Sequence, residues 1–143
     1  TPKLVVLMIG TNNTIGNNKP ADIAAGIQAI LQRLQQITPD TRILLLGIFP
    51  LREHKNGPLR VNNDKTNELI SRFADNHRIV YMNINDKFLT ADGTLTKEIM
   101  PDLVHPGPKG YQIWAEAIEP TVAKLMGEAA AAQPVTPAAQ PDN

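Results

Sequence analysis

The sequence predicts an α/β fold built on a parallel sheet. Three short apolar runs rich in branched residues are spread along the chain, each followed by a polar loop and then by a segment with apolar residues at helical spacing. Strand, loop and helix repeated three times imply parallel strands joined by right-handed crossovers. Strands that are apolar throughout need helices on both faces of their sheet. Three strands make a thin sheet, and one of its edges is expected to be open.

Residues 3–9 (Lys-Leu-Val-Val-Leu-Met-Ile) form the first run, read as a strand buried on both faces. Residues 10–19 hold two Asn pairs and two glycines, which predicts a loop. Pro20 suits the first turn of a helix, where a missing N–H costs nothing. Ile23, Ile27, Ile30, Leu31, Leu34 and Ile37 follow at helical spacing, and Thr38-Pro39 ends them. Residues 42–49 form the second strand and residues 50–59 a long polar loop. Asn62 or Asn63 is expected to cap a helix reaching about Asn76, with Leu69, Ile70 and Phe73 inward. Residues 78–84 form the third strand, and Asp92-Gly93 marks a turn. Pro106-Gly107-Pro108 leads into the last helix, whose expected buried face is Tyr111, Trp114, Ile118, Val122 and Leu125. Pro120 is expected to bend or restart that helix.

The domain is assigned to residues 1–127. Residues 128–143 change to Ala, Pro and Gln and are expected to form a disordered tail or linker. At 143 residues and 42% hydrophobic content there is room and apolar material for one core. Lys+Arg and Asp+Glu both number 14, so nothing in the charge points to nucleic acid or an anionic membrane. The absence of cysteine excludes disulfides, thiolate catalysis and zinc–cysteine sites. No apolar run approaches the roughly 20 residues of a membrane span. The chain opens on Thr-Pro-Lys directly into a strand, without a signal peptide, as a processed or internally cut chain would. The Ala/Pro tail is compatible with an exported bacterial protein, but the compartment stays open.

Two clusters carry chemistry. Gly10-Thr11-Asn12-Asn13 lies at the carboxyl end of a predicted strand, where ligands bind in open parallel sheets. A side-chain amide there can donate to an oxyanion. A polar turn is the plainer account of the same residues. Asn12-Asn13-Thr14 also matches a glycosylation sequon, discounted because it would lie in the crevice. Asp102-x-x-His105 is the second cluster. A carboxylate three residues before an imidazole can accept its Nδ1–H, leaving Nε2 to take a proton from a nucleophile. A loop aspartate followed by a helix-entry histidine is the plain alternative, and an Asp/His metal site a weak third. His54 and His77 are poorer candidates. Gly107-Pro-Lys-Gly110 lacks the spacing of a phosphate loop and the strand before it. Arg52 and Arg60 flank the long loop; contact with substrate and solvated surface charge are the two readings, the second plainer. Ser71 is the only serine, and it lies within a helical pattern.

Both clusters, in this order and on these elements, resemble the SGNH/GDSL hydrolase superfamily. Its third block is Gly-x-Asn-Asp after a strand, and its fifth is Asp-x-x-His before the last helix. Asn13 here replaces the usual Asp. Residues 9–13, 25–30, 46–50, 58–63 and 109–114 resemble most closely the branch of the platelet-activating-factor acetylhydrolase catalytic alpha subunits, over roughly residues 3–126.

The resemblance implies a three-layer α/β/α flavodoxin-like fold and a serine esterase of short acyl groups, acetyl first, on a carbohydrate, phospholipid-like or other alcohol. It implies Asp102 and His105 as triad acid and base, Asn12 as oxyanion donor, and no metal or cofactor. Asn13 and Arg52 are the candidate substrate contacts. The family's Gly-Asp-Ser nucleophile block and second block are not in this sequence. They belong to two strands that would lie beside residues 4–9, in the sheet order 2-1-3-4-5. The resemblance therefore implies the carboxyl-terminal portion of a longer hydrolase, with a companion segment or neighbouring protomer against that strand. A serine-free binding or interaction subunit is the main rival reading, and a flavodoxin-like nucleotide or phosphate binder the second.

Overall fold

The computed structural model describes residues 1–127; the tail expected at 128–143 lies outside the described residues. Its elements run β1 (Leu4–Leu7), α1 (Thr11–Ile15), α2 (Pro20–Ile37), β2 (Arg42–Leu46), α3 (Pro58–Ser71), β3 (Ile79–Met82), a 3-10 turn (Asn85–Phe88) and α4 (Pro108–Met126). The sheet is parallel, in the order β1-β2-β3. Leu4 pairs with Arg42 and Leu7 with Leu45; Ile43 pairs with Ile79 and Leu46 with Met82.

Alternation along β2 explains the layers. Successive side chains of a strand point to opposite faces. Ile43 and Leu45 pack with Ile23, Ile27 and Leu31 of α2 and Ile70 of α3. Leu44 and Leu46 pack on the other face with Phe88, Met100 and the α4 residues Trp114, Ile118 and Val122. All four strand residues are fully buried. Each such side chain contributes about 1.5–3 kcal/mol relative to exposure. The result is the expected three-layer α/β/α arrangement.

The three long helices share one device: Pro20, Pro58 and Pro108 each occupy the first helical turn. That corrects the expected start of α3, which begins at Pro58 with Gly57 as cap rather than at Asn62 or Asn63. Asn63 is instead buried inside the helix. The helix also ends early, at Ser71, because the Asp75 carboxylate accepts the backbone N–H groups of His77, Arg78 and Ile79 and turns the chain into β3.

Other expectations also need correction. Residues 10–19 are not all loop, since α1 forms one turn there, with Thr14 N–H bonded to the Gly10 carbonyl at 3.0 Å. The helix α4 runs through Pro120 without restarting. Tyr111 is exposed (56%) and stacks on Trp114 instead of joining the buried face. At 3.6 residues per turn, three positions leave Tyr111 about 60° off the Trp114 direction.

The edges of the sheet differ from its centre. Val6 and Ile9 are 41% and 40% exposed, against 0% for residues 43–46 of β2. Among the described residues β1 pairs only with β2. No helix among the described residues is long and apolar enough to cross a membrane.

Candidate active site

Gly10 ends the first apolar run with a conformation that only glycine adopts easily. Its φ is 126°, and a Cβ added there would stand 2.5 Å from Ile48 Cδ1. Glycine accepts both the positive φ and the close approach. The turn sends the chain into α1, which presents Asn12 and Asn13 to solvent beyond the carboxyl end of β1. Buried Thr14 anchors this helix. Its hydroxyl donates to Asn63 Oδ1 at 2.6 Å, and Asn63 Nδ2 donates to the Phe49 carbonyl at 2.8 Å. The Asn67 amide completes the support by accepting from Ile48 N–H (2.7 Å) and donating to Ile48 C=O (2.9 Å).

Asp102 and His105 form a preorganised pair. Asp102 Oδ2 and His105 Nδ1 are 2.7 Å apart. Asp102 Oδ1 accepts the backbone N–H of His105 at 2.7 Å and of Val104 at 3.0 Å. The loop closes this tightly because Leu103 adopts a positive φ of 60°. The His105 backbone N–H and ring, followed by the Val104 N–H, hold the Asp102 carboxyl well below the usual carboxylate range. The aspartate is therefore a stable anion, suited to orienting an imidazole and balancing its positive charge. Nε2 is left for a proton transfer, and the His105 side chain is 77% exposed.

Geometry separates the three histidines. His54 is exposed and only 3.9 Å from Glu53, while His77 lies in the exposed turn before β3. Ser71 donates its hydroxyl to the Glu68 carbonyl at 2.8 Å, and the cavity it borders is lined by Asp64, Asn67, Glu68, Tyr81 and Asn83, with no histidine. Among the described residues no group of three or more His, Asp or Glu is placed to hold a metal ion.

Arg52 joins the pair's loop through its backbone, donating to the Leu103 carbonyl at 3.0 Å. Its side chain is exposed beside a cavity of about 330 Å³ that Leu103, Pro58 and Leu59 also line. Asn12 and Asn13 stand on α1, with no described hydrogen bond from either side chain to His105. Arg60 is neither surface charge nor a solvent-facing substrate contact. It is 2% exposed, with its guanidinium on main-chain carbonyls. Its place in the first turn of a proline-started helix was the available signal, obscured by the late helix start assigned to that segment.

The chain is 31% identical over 128 residues to the platelet-activating factor acetylhydrolase IB subunit alpha1 of Rattus norvegicus, a match covering 89% of this chain and 54% of that protein. The chain thus spans about half the length of the curated relatives it matches. Among solved structures, a catalytic mutant of an acetylxylan esterase from Geobacillus stearothermophilus superposes with a TM-score of 0.69 at 17% identity, covering 92% of this chain and 63% of that one. A carbohydrate esterase family 3 protein from Talaromyces cellulolyticus gives 0.65 at 21% identity, covering 88% and 59%. These structural likenesses bear on the fold. Residues 1–113 match the GDSL-like Lipase/Acylhydrolase family, and the chain belongs to it.

Proposed function

We propose that the chain is the acid–base part of a serine esterase that cleaves short acyl esters, acetyl first, through an acyl-serine whose nucleophile comes from a segment outside this sequence. The observation that carries the reading is the 2.7 Å Asp102–His105 contact on a loop that also ties the carboxylate to two backbone N–H groups. Asp75 accepts backbone N–H groups in the same way; what sets Asp102 apart is that its second oxygen also meets an imidazole at hydrogen-bond distance.

The chemistry follows from the atoms. A serine Oγ attacks the acyl carbon while His105 Nε2 takes its proton. Asp102 accepts the Nδ1–H and balances the imidazolium. The Asn12 amide donates to the tetrahedral oxyanion; losing one such donor costs roughly 2.7–4 kcal/mol in the transition state. Collapse expels the alcohol, which receives the proton from His105. Water then attacks the acyl-serine by the same route, with His105 as base. No metal or organic cofactor takes part. Asn13 and Arg52 are the proposed contacts to the alcohol, whether carbohydrate, phospholipid-like or another.

The companion segment belongs against β1. Val6 and Ile9 leave an apolar edge exposed there, and such an edge pairs with another strand or aggregates. A shallow cavity lined by Ile9, Ile23, Gly26, Ile27 and Ile30, with Asn13 and Asp22 also on its wall, continues this surface onto α2. A parallel strand added to β1 would end at the same carboxyl side as Asn12, where its serine meets the pair.

A non-catalytic binding subunit is the second reading, favoured by the engagement of the only serine hydroxyl with its own helix. Turnover of p-nitrophenyl acetate and labelling by a serine-directed phosphonate separate the two in the assembled protein. The esterase reading expects both, and expects His105→Ala to abolish turnover. Near-normal turnover in that variant removes the triad assignment. A folded monomer of 15.6 kDa that associates with nothing along β1 defeats the companion segment.

A further inference from the structure

Arg60 stands on the first turn of α3, yet it is nearly completely buried. Its fork donates from Nε to the Leu51 carbonyl (3.2 Å), from Nη2 to the Arg52 carbonyl (2.6 Å) and from Nη1 to the Gly93 carbonyl (3.3 Å). Among the described residues no carboxylate lies within ion-pair distance of it; burial lowers the guanidinium pKa, and the Asp64 carboxylate one turn on offsets that only in part. A buried cation satisfied by carbonyls is costly, and a packed apolar residue would serve stability as well or better. What an apolar residue cannot do is fix three carbonyls at once, which needs the planar, multi-donor guanidinium.

The carbonyls it fixes lead to the catalytic loop. Arg52 is held in left-handed backbone, with φ 64°. Its N–H donates to the carbonyl of Leu103, the residue after Asp102 and itself at φ 60°. The next residue, Glu53, accepts the Leu95 N–H at 3.0 Å, so the same turn is tied to the segment that contains Gly93. We propose that Arg60 is a positioning residue for the Asp102–His105 pair. It fixes the Arg52 turn, the turn fixes the Leu103 peptide, and the peptide sets the carboxylate against the ring. The effect on turnover rests on the esterase reading; the effect on the pair's geometry does not.

The test compares Arg60→Met and Arg60→Lys with Ile70→Val, a control in the opposite core layer that lowers stability without touching the loop. On the full chain, imidazole nitrogen chemical shifts report the His105 tautomer, and hydrogen exchange reports the Arg52 amide. Wild type and Ile70→Val are expected to hold one tautomer, with the proton on Nδ1. Both Arg60 variants are expected to show mixed tautomers and Arg52 exchange accelerated about 10-fold. In the assembled esterase their kcat is expected to fall about 10-fold with KM within about twofold, the pattern of a mispositioned acid–base pair. A folded Arg60 variant with unchanged tautomer and exchange overturns the proposal, as does failure of both variants to fold. An active His105→Ala enzyme would overturn the catalytic reading alone and leave the tautomer result standing.

Discussion

The backbone N–H of Arg52 donates to the carbonyl of Leu103 over 3.0 Å, and both residues hold left-handed backbone, at φ 64° and 60°. Non-glycine residues in that region cost of order 1–3 kcal/mol each and persist where their surroundings over-determine them. Here the strained residues belong to two loops that meet beside the candidate catalytic pair. The fold fixes the pair by making each loop brace the other.

Replacing Arg52 separates its backbone from its side chain. Arg52→Gly keeps the N–H and removes the steric cost, so stability is expected within about 1 kcal/mol of wild type. Arg52→Val also loses the guanidinium but places a branched Cβ where φ is positive, and is expected to lose about 2 kcal/mol. Urea unfolding of both variants reads the difference. Equal stability would mean that the turn is not strained.

Asp102→Asn tests the charge without dismantling the loop. The amide oxygen can still accept the His105 and Val104 N–H groups, but more weakly than a carboxylate, so the unfolding temperature is expected to fall modestly at neutral pH and to differ less from wild type in acid. An amide facing Nδ1 favours the wrong tautomer. In the assembled enzyme the expected loss in kcat is on the order of 10⁴-fold, the scale known for a triad aspartate turned into an amide. A loss below about 10-fold would assign the pair a structural role.

Acid should weaken the fold, and the sign follows from depressed carboxyl groups. Burial is the largest single influence on Asp75 and raises its pKa, but the N–H groups of Ile79, His77 and Arg78 together outweigh it, so the folded value lies below the ordinary one. Asp102 is depressed as well, by the bonds from His105 and Val104. Groups depressed in the folded state add stability above their unfolded pKa, about 4, and lose it as pH falls through the folded value. Unfolding free energy is therefore expected to be flat near neutrality and to fall below about pH 4. Asp75→Asn keeps an acceptor oxygen but cannot titrate, and is expected to flatten part of that acid limb. An unchanged limb in this variant would exclude Asp75 as a contributor.

Apolar patterning alone makes the sheet and its layers legible in the sequence. The runs of residues 3–9, 42–49 and 78–84 each contain an observed strand, and Pro20 and Thr38 bracket α2 closely. Asp102 and His105 were legible because their spacing is itself the geometry, one residue bracing another within one loop. Arg60 was not, because its role depends on carbonyls at Leu51, Arg52 and Gly93 that only tertiary structure brings together. Tyr111 was misplaced for a related reason: a helical period marks a face but not how far the neighbouring layer extends. Thr14 was passed over because its partner, Asn63, lies 49 residues away.

The exposed edge of β1 yields the most discriminating substitution. Val6 is 41% exposed in this chain but would be covered by a strand docked on β1. In the chain alone Val6→Lys can lay its methylenes on the surface and keep the ammonium in water, so stability is expected to stay within about 1 kcal/mol. In the assembled enzyme the same side chain would project from the α4 face of the sheet into the packing around the added strand, burying its ammonium without a partner, an inward-pointing charge that opposes docking on this edge. Association with the serine-bearing segment should fail, and esterase turnover should disappear with it. Val61→Lys supplies the control, since Val61 is similarly exposed (37%) but lies on α3, away from that edge. It is expected to leave assembly and turnover intact. Full turnover by a folded Val6→Lys protein would mean that nothing needs to cover β1, and the nucleophile would have to reach His105 from another direction.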